Sequence, residues 1–252
     1  MKNFCRYALT LAVIIILWQC AAIAFGPNIL PKPAIVLQSL MREISGAEFW
    51  LHARASFSRA VGGVLIGFAA AFPFGLWLGG SPKADAWLSP FIFLTYPIPK
   101  ILLLPVLLVL LGLGEAPKYI LIALTCGYQI LVVTRDSARN IDPGYLASFK
   151  AIRPQSKGRR PLELACHVLA PACLPAAVSA LRLATGTAVA VLFMAESFVT
   201  DRGLGFMIMD AWGGLDLPRM FSGIAAMSLM GFLLYGLTNL IERRVCRWLE
   251  MR

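Results

Sequence analysis

Residues capable of acid–base, nucleophilic or metal chemistry are few and scattered in this sequence. Its two histidines, His52 and His167, both fall outside the long apolar runs, so a Ser–His pair inside such a run has no base. No H-E-x-x-H zinc motif occurs, and no G-x-x-x-x-G-K-[ST] phosphate cradle, so any ATP used is bound by another polypeptide. The six cysteines (Cys5, Cys20, Cys126, Cys166, Cys173 and Cys246) include no C-x-x-C pair and lie mostly in or beside apolar stretches, as small hydrophobes do. The chain is therefore not expected to be an enzyme by itself, and no catalytic, cofactor-binding or metal-binding residue is assigned. Two charges set among apolar residues stay in view. Lys100 lies in a proline-rich stretch, where it either reaches for an interface or serves a pore. Glu196 lies near the end of an apolar run, and a carboxylate deep in a bilayer costs about 2.5–3.5 kcal/mol on insertion scales.

The elements that must position these residues follow from composition. Of 252 residues, 59% are hydrophobic and 14% charged, with a mean hydropathy of +0.74. Soluble domains carry about a quarter charged residues. A hydrocarbon core of roughly 30 Å takes about 20 apolar residues per helix, which predicts an all-α membrane protein of about six transmembrane helices, forming one domain over residues 1–252. The net charge of +10 does not indicate nucleic acid, because the basic residues sit between apolar runs, where they act as topology signals and headgroup contacts.

The first span, about 9–25, is too long for the apolar region of a signal peptide and is read as an uncleaved helix. Residues Gly26 to Ser58 are more polar and read as a loop with a short amphipathic helix on the membrane surface. Core spans follow over about 59–240. The second, Arg59 to Gly80, carries Gly62, Gly63, Gly67 and Gly75 for close helix packing. The third, Trp87 to Leu113, is broken by Pro90, Pro97, Pro99 and Pro105. Irregular backbone survives in a bilayer only where protein or a watery cavity covers it, which puts Pro97, Pro99 and Lys100 near a pathway. Spans at Tyr119 to Thr134, Ala176 to Phe198 and Met220 to Leu240 complete the set.

Placing both termini in the cytoplasm puts Lys2, Arg6, Lys83, the basic run from Arg135 to Arg160, and Arg243, Arg244, Arg247 and Arg252 inside. These outnumber the outside positives Lys32, Arg42, Arg54, Arg59, Lys118, Arg202 and Arg219, as the positive-inside rule favours. The long connection, about 137–172, is then cytoplasmic. Its pattern fits two short amphipathic helices separated by a basic turn.

Four stretches carry a family likeness: Leu30-Pro31-Lys32-Pro33; Pro97-Ile98-Pro99 to Pro105 with Gly112-Leu113-Gly114-Glu115; Val168-Leu169-Ala170-Pro171-Ala172-Cys173-Leu174-Pro175 leading to Leu181-Arg182-Leu183; and Ala195-Glu196-Ser197 with Gly203-Leu204-Gly205-Phe206. In this order they resemble the permeases of the nitrate, sulfonate, taurine and bicarbonate family of ABC importers, over roughly residues 28 to 240. The resemblance implies a type I importer (MetI-like) transmembrane domain that works by alternating access. It implies as partners cytoplasmic ATPase subunits carrying ATP and Mg, a periplasmic solute-binding protein and a second permease copy, with lipid around them. The implied solute is a small anion such as nitrate, a sulfonate or taurine, or a cofactor precursor.

By the same resemblance, the 145–171 loop docks on the ATPase through Ala147, Ser148, Lys150, Ile152, Arg153, Gly158, Arg159, Glu163 and Pro171. The family's E-A-A start is missing. Counting back from Pro171 puts Ile152, Arg153 and Pro154 there, whereas aligning Ala147 to Ile152 with the first half leaves extra residues in the turn. Pro97, Pro99, Lys100 and Glu196 are the pathway candidates. A stand-alone secondary transporter would be expected to show paired broken helices in both halves, and only one broken span is evident.

Overall fold

The computed structural model describes residues 2–152, 163–198 and 200–246, and these contain helices and turns without strands. In chain order the helices are α1 (Lys2–Phe25), α2 (Pro33–Ser45), α3 (Ala47–Gly80), α4 (Pro82–Thr95), a 3-10 turn (Lys100–Leu103), α5 (Leu104–Leu111), α6 (Ala116–Arg139), α7 (Pro143–Ile152), a π-helical turn (Ala165–Leu169), α8 (Ala170–Phe198), α9 (Leu204–Gly213) and α10 (Leu217–Val245). Prolines start several of them: Pro33, Pro82, Pro105, Pro117 and Pro143 all stand in a first turn, where the missing N–H has no partner to lose. The chain divides at 57/58, 195/196 and 230/231 into two compact units, and each boundary falls inside a continuous helix.

Five helical stretches among the described residues are long and apolar enough to cross a membrane: Arg6–Phe25, Ala47–Gly80, Ala116–Arg139, Ala165–Phe198 and Leu217–Val245. A sixth candidate joins α4 to Lys100–Leu111 across a bend of 88°. Three boundaries differ from the sequence reading. The second span begins at Ala47, so the back half of the expected loop is helix, because its charged residues lie at helical spacing rather than in a turn. The second amphipathic helix of the long connection is continuous with α8 through the π-helical turn. Of the four prolines expected to break the third span, only Pro97 and Pro99 lie in the break; Pro90 is carried inside α4 and Pro105 opens α5.

The unit formed by residues 58–195 and 231–246 centres on a seam between α3 and α6. Gly63, Gly67, Ala71, Gly75 and Gly79 recur every fourth residue and so line one face of α3. A Cβ at Gly63 would stand 2.6 Å from the Cβ of Ile122, at Gly67 2.7 Å from the Ala123 carbonyl oxygen, and at Gly75 2.8 Å from the Cβ of Thr134. At Gly79 it would strike the Arg135 carbonyl. Rising numbers on α3 meet rising numbers on α6, so the two helices run parallel.

Parallel neighbours require a crossing between them. Asp85, just past α3, pairs with Arg135 on α6, and Glu115, just before α6, pairs with Arg59 on α3. From residue 115 to residue 135 is about 30 Å at 1.5 Å per residue, one hydrocarbon thickness. The chain from Asp85 to Glu115 therefore traverses the whole seam, which makes α4 and α5 one bent span rather than a re-entrant loop.

The unit formed by residues 2–57 and 196–230 holds α1, α2, the start of α3, the end of α8, α9 and the start of α10. Trp18 of α1 meets Phe221 of α10 at 6.2 Å between ring centroids. Most of α1 stays exposed, from Tyr7 to Phe25, as a helix facing lipid does.

Candidate functional site

At the break in the bent span, Pro97 and Pro99 remove two backbone donors and leave carbonyls without helical partners. Lys100 supplies the missing donors. Its Nζ donates to the carbonyls of Thr95 (2.5 Å), Tyr96 (3.1 Å) and Ile98 (2.9 Å), and it lies 4.2 Å from the centroid of the Tyr128 ring. Three donors meet three acceptors, so the ammonium both caps α4 and carries its charge at the break. The Tyr128 hydroxyl shares a 2.8 Å hydrogen bond with Thr95, which ties α4 to α6. Beside this point an apolar cavity of about 610 Å³ opens between α3, α4 and α6, lined by Ile66, Gly67, Phe74, Phe91, Leu124 and Tyr128 among others.

Ion pairs mark both ends of the seam. At one end Glu115 accepts from Arg59 through Nε (2.5 Å) and Nη2 (2.7 Å), and from Lys118 Nζ (3.1 Å). The Arg59 hydrogen bond, aided by Lys118, holds the Glu115 carboxyl down at about 2 against the opposing effect of burial. At the other end Asp85 accepts from Arg135 in a two-pronged pair and from Arg139 at 3.1 Å, while Arg135 also donates to Ser89 at 2.6 Å. Arg182 on α8 donates to Glu242 on α10 at 2.6 Å, with Ser179 donating to the same carboxylate at 2.8 Å.

The long connection contributes α7, whose Asp142 side chain accepts from the Gly144 amide at 2.7 Å and so shapes the entry turn. Ala147 and Ser148 lie on α7, and Lys150 and Ile152 in its last turn. Arg153, Gly158 and Arg159 lie outside the described residues. Glu163 opens the helical stretch that runs into the π-helical turn, and Pro171 stands in the first turn of α8. The structure packs α7 against the π-helical turn, bringing the two halves of the connection together. Pro171 has no N–H to return to the preceding turn, and Pro175 repeats the defect four residues on. A π-helical widening at this point accommodates the ring.

Glu196 belongs to the other unit and is 1% exposed. It accepts from the Ser56 hydroxyl (2.9 and 2.7 Å) and from the amide of Gly205 (2.9 Å). Sequence reasoning singled out Glu196 but missed Ser56 and left His52 without a role. Glu48, His52 and Ser56 recur every fourth residue, a helical signal hidden by reading this stretch as loop.

Apolar helices of bilayer length, one of them bent, with ion pairs at both ends of a close helix seam, fit a multi-pass membrane protein. The chain belongs to the family of binding-protein-dependent transport system inner membrane components, whose pattern covers residues 63–247. It is 29% identical over 247 residues to the taurine transport system permease protein TauC of Escherichia coli (strain K12), covering 95% of this chain and 88% of that one. It is 28% identical over 239 residues to the putative aliphatic sulfonates transport permease protein SsuC of Bacillus subtilis (strain 168), covering 94% and 85%. To the riboflavin transport system permease protein RibX of Chloroflexus aurantiacus it is 30% identical over 243 residues, covering 95% and 88%. In fold it matches a chain of the inward-facing MetNI methionine ABC transporter with a TM-score of 0.64 at 20% identity, covering 78% of this chain and 96% of that one.

The protein is a multi-pass membrane protein and a permease subunit of an ABC importer. Family membership implies an ATPase and a solute-binding protein as partners.

Proposed function

We propose that two copies of this permease form one translocation pathway, which alternates its access under the drive of a separate ATPase docked on the 145–171 connection. The observation that carries the reading is the continuity of that connection with the α8 span: α7 packs on the π-helical turn, and the turn runs without interruption into α8. A push on the connection reaches the bilayer through a single rigid helix. Within the connection, Ala147, Ser148, Lys150, Ile152, Arg153, Gly158, Arg159, Glu163 and Pro171 are the residues assigned to docking. ATP and Mg belong to the ATPase partner, since this sequence carries no phosphate cradle.

Both termini are assigned to the cytoplasm on the distribution of basic residues, and six crossings are consistent with termini on one side. The exposed apolar side chains of the bent span, including Leu94, Leu102, Val109 and Leu110, are assigned to contact with lipid or with the second copy. Exposed basic residues at the end of α10, Arg243 and Arg244, are assigned to lipid headgroups. Pro97, Pro99 and Lys100 are assigned to the pathway wall, where the lysine charge favours an anion. Glu196 is assigned to the pathway or its gate. The solute is proposed to be a small anion such as nitrate, taurine or another sulfonate, or a cofactor precursor, in keeping with the named relatives.

The test is a pull-down of the tagged, detergent-solubilised chain from its native membrane, with and without residues 150–160 replaced by a neutral linker. Recovery of an ATPase subunit that disappears with the replacement supports the docking assignment. An intact chain that recovers no ATPase and, reconstituted alone, carries out ion-coupled transport overturns it in favour of a secondary transporter.

A further inference from the structure

The first amides of any helix have no carbonyl of their own helix to reach. At the start of α9 three successive amides each find a side-chain acceptor instead. The amide of Gly203 donates to His52 Nδ1 (3.0 Å), that of Leu204 to Ser56 Oγ (2.7 Å), and that of Gly205 to Glu196 Oε2 (2.9 Å). His52 and Ser56 stand one helical turn apart on α3, and Glu196 comes from the last turn of α8. The Ser56 hydroxyl in turn donates to Glu196, so two of the three acceptors are also joined to each other. Gly203 has φ +135°, and a Cβ there would strike the Glu196 carboxylate, so the turn into α9 admits only glycine.

The chemistry of one member differs from the other two. A backbone N–H only donates, so His52 Nδ1 must present a lone pair and the ring proton must sit on Nε2, which points toward Glu48 Oε1 at 3.5 Å. His52 is 5% exposed and stacked on Phe206, with ring centroids 5.7 Å apart, so the ring cannot turn away freely. A second proton would go to Nδ1, where it would confront the Gly203 N–H, donor against donor.

Charged groups from every surrounding element bear on that proton. Glu48 on α3 faces Nε2, Glu196 on α8 accepts from the nearby Gly205 amide, and Arg219 on α10 lies 3.7 Å from Glu48 and is held also by Glu43 of α2 (3.5 Å) and Asp210 of α9 (3.6 Å).

We propose that His52, Ser56 and Glu196 are positioning residues that fix the start of α9, and that protonation of His52 releases this anchorage. The anchor is a proton-sensitive catch on a short helix, so acid loosens α9 while the spans stay folded.

The test is amide hydrogen exchange, read by mass spectrometry on the full-length permease in lipid nanodiscs. It is run at about pH 8 and about pH 5.5, either side of the ordinary histidine value of about 6.5, with times scaled for intrinsic exchange. Protection of residues 203–205 in the wild-type chain should fall about tenfold at the lower pH, the scale of one lost hydrogen bond. His52→Asn places a non-titrating acceptor where Nδ1 stood and should stay protected at both values. His52→Gln places its acceptor where Nε2 stood and should be unprotected at both. Protection within α6 reports that each variant is folded.

Equal wild-type protection at the two pH values overturns the proposal, and requires no variant to fold. A pH-dependent loss that persists in His52→Asn also overturns it, by moving the proton to another group. Exchange is read without solute or ATPase, so failure here leaves the permease reading standing, and failure of the pull-down leaves this result standing.

Discussion

The α3–α6 seam and the bent α4–α5 span lie side by side and are built on opposite plans. The seam has no room: glycine and alanine every fourth residue bring two backbones within reach of each other's carbonyls, and ion pairs close it at both ends. The bent span has no continuity: two prolines interrupt it, a single lysine stands in for the lost donors, and large apolar side chains such as Leu94, Leu102 and Val109 project from it unburied. Close packing resists deformation, whereas a backbone held by one side chain's hydrogen bonds can exchange partners at small cost. A transporter needs both, a frame and a part that moves against it.

The largest effect is expected at the seam. Gly67→Ala places a Cβ against the backbone of Ala123, which no rotamer change relieves, and should lower stability in detergent by about 1–3 kcal/mol, read as a fall in the thermal unfolding midpoint. Gly236→Ala on α10 meets nothing within 4 Å and should leave the midpoint level or raise it. Equal midpoints for the two variants would erase the contrast between a packed seam and the rest of the bundle.

At the break, Lys100→Met keeps the stem and removes every donor. Leaving the Tyr96 and Ile98 carbonyls without this donor, and that of Thr95 with only the Ile98 amide, should cost about 1–2 kcal/mol in the same assay, and exchange within the bent span should quicken while that within α6 does not. If exchange quickens equally in both, the bent span is not a separately yielding element.

The smallest effect is expected at the Glu115 end of the seam. Its carboxyl is lowered from 4.5 to about 2, chiefly by the hydrogen bond from Arg59. A lowered folded value means the pair's contribution is fully present above about pH 4.5 and is lost as pH falls toward about 2. Glu115→Gln should therefore lower stability slightly at neutral pH and converge with the wild type as pH falls through that window, flattening the acid limb; the effect is small, since the side chain is 54% exposed and screened by water.

Much of the fold was legible in one dimension. Apolar runs of bilayer length, glycines and alanines at helical spacing, and prolines crowded between residues 97 and 105 announce spans, a close seam and a break without any knowledge of neighbours. Helix starts were harder to see. Ala47 to Ser58 carries Glu48, His52 and Arg54, and polar residues there read as loop although they continue a helix. The merger of the second amphipathic stretch with α8 was hidden for a related reason, since Pro171 and Pro175 suggest an end where a π-helical turn absorbs them.

What the sequence alone determined is the kind of molecule: length and order of apolar segments, the missing nucleotide cradle and the order of its short motifs are local properties, written in residue types. Partnership was decided only in three dimensions. Asp85 and Arg135 stand 50 residues apart, Arg59 and Glu115 stand 56 apart, and Ser56 and Glu196 stand 140 apart. Nothing local tells a charged residue whether it will meet water, lipid or a particular counter-group, because that energy depends on which helices pack together. Glu196 shows the difference: its sequence position marks it as costly to bury, and only the packed structure reveals that the Ser56 hydroxyl and the Gly205 amide meet the buried carboxylate.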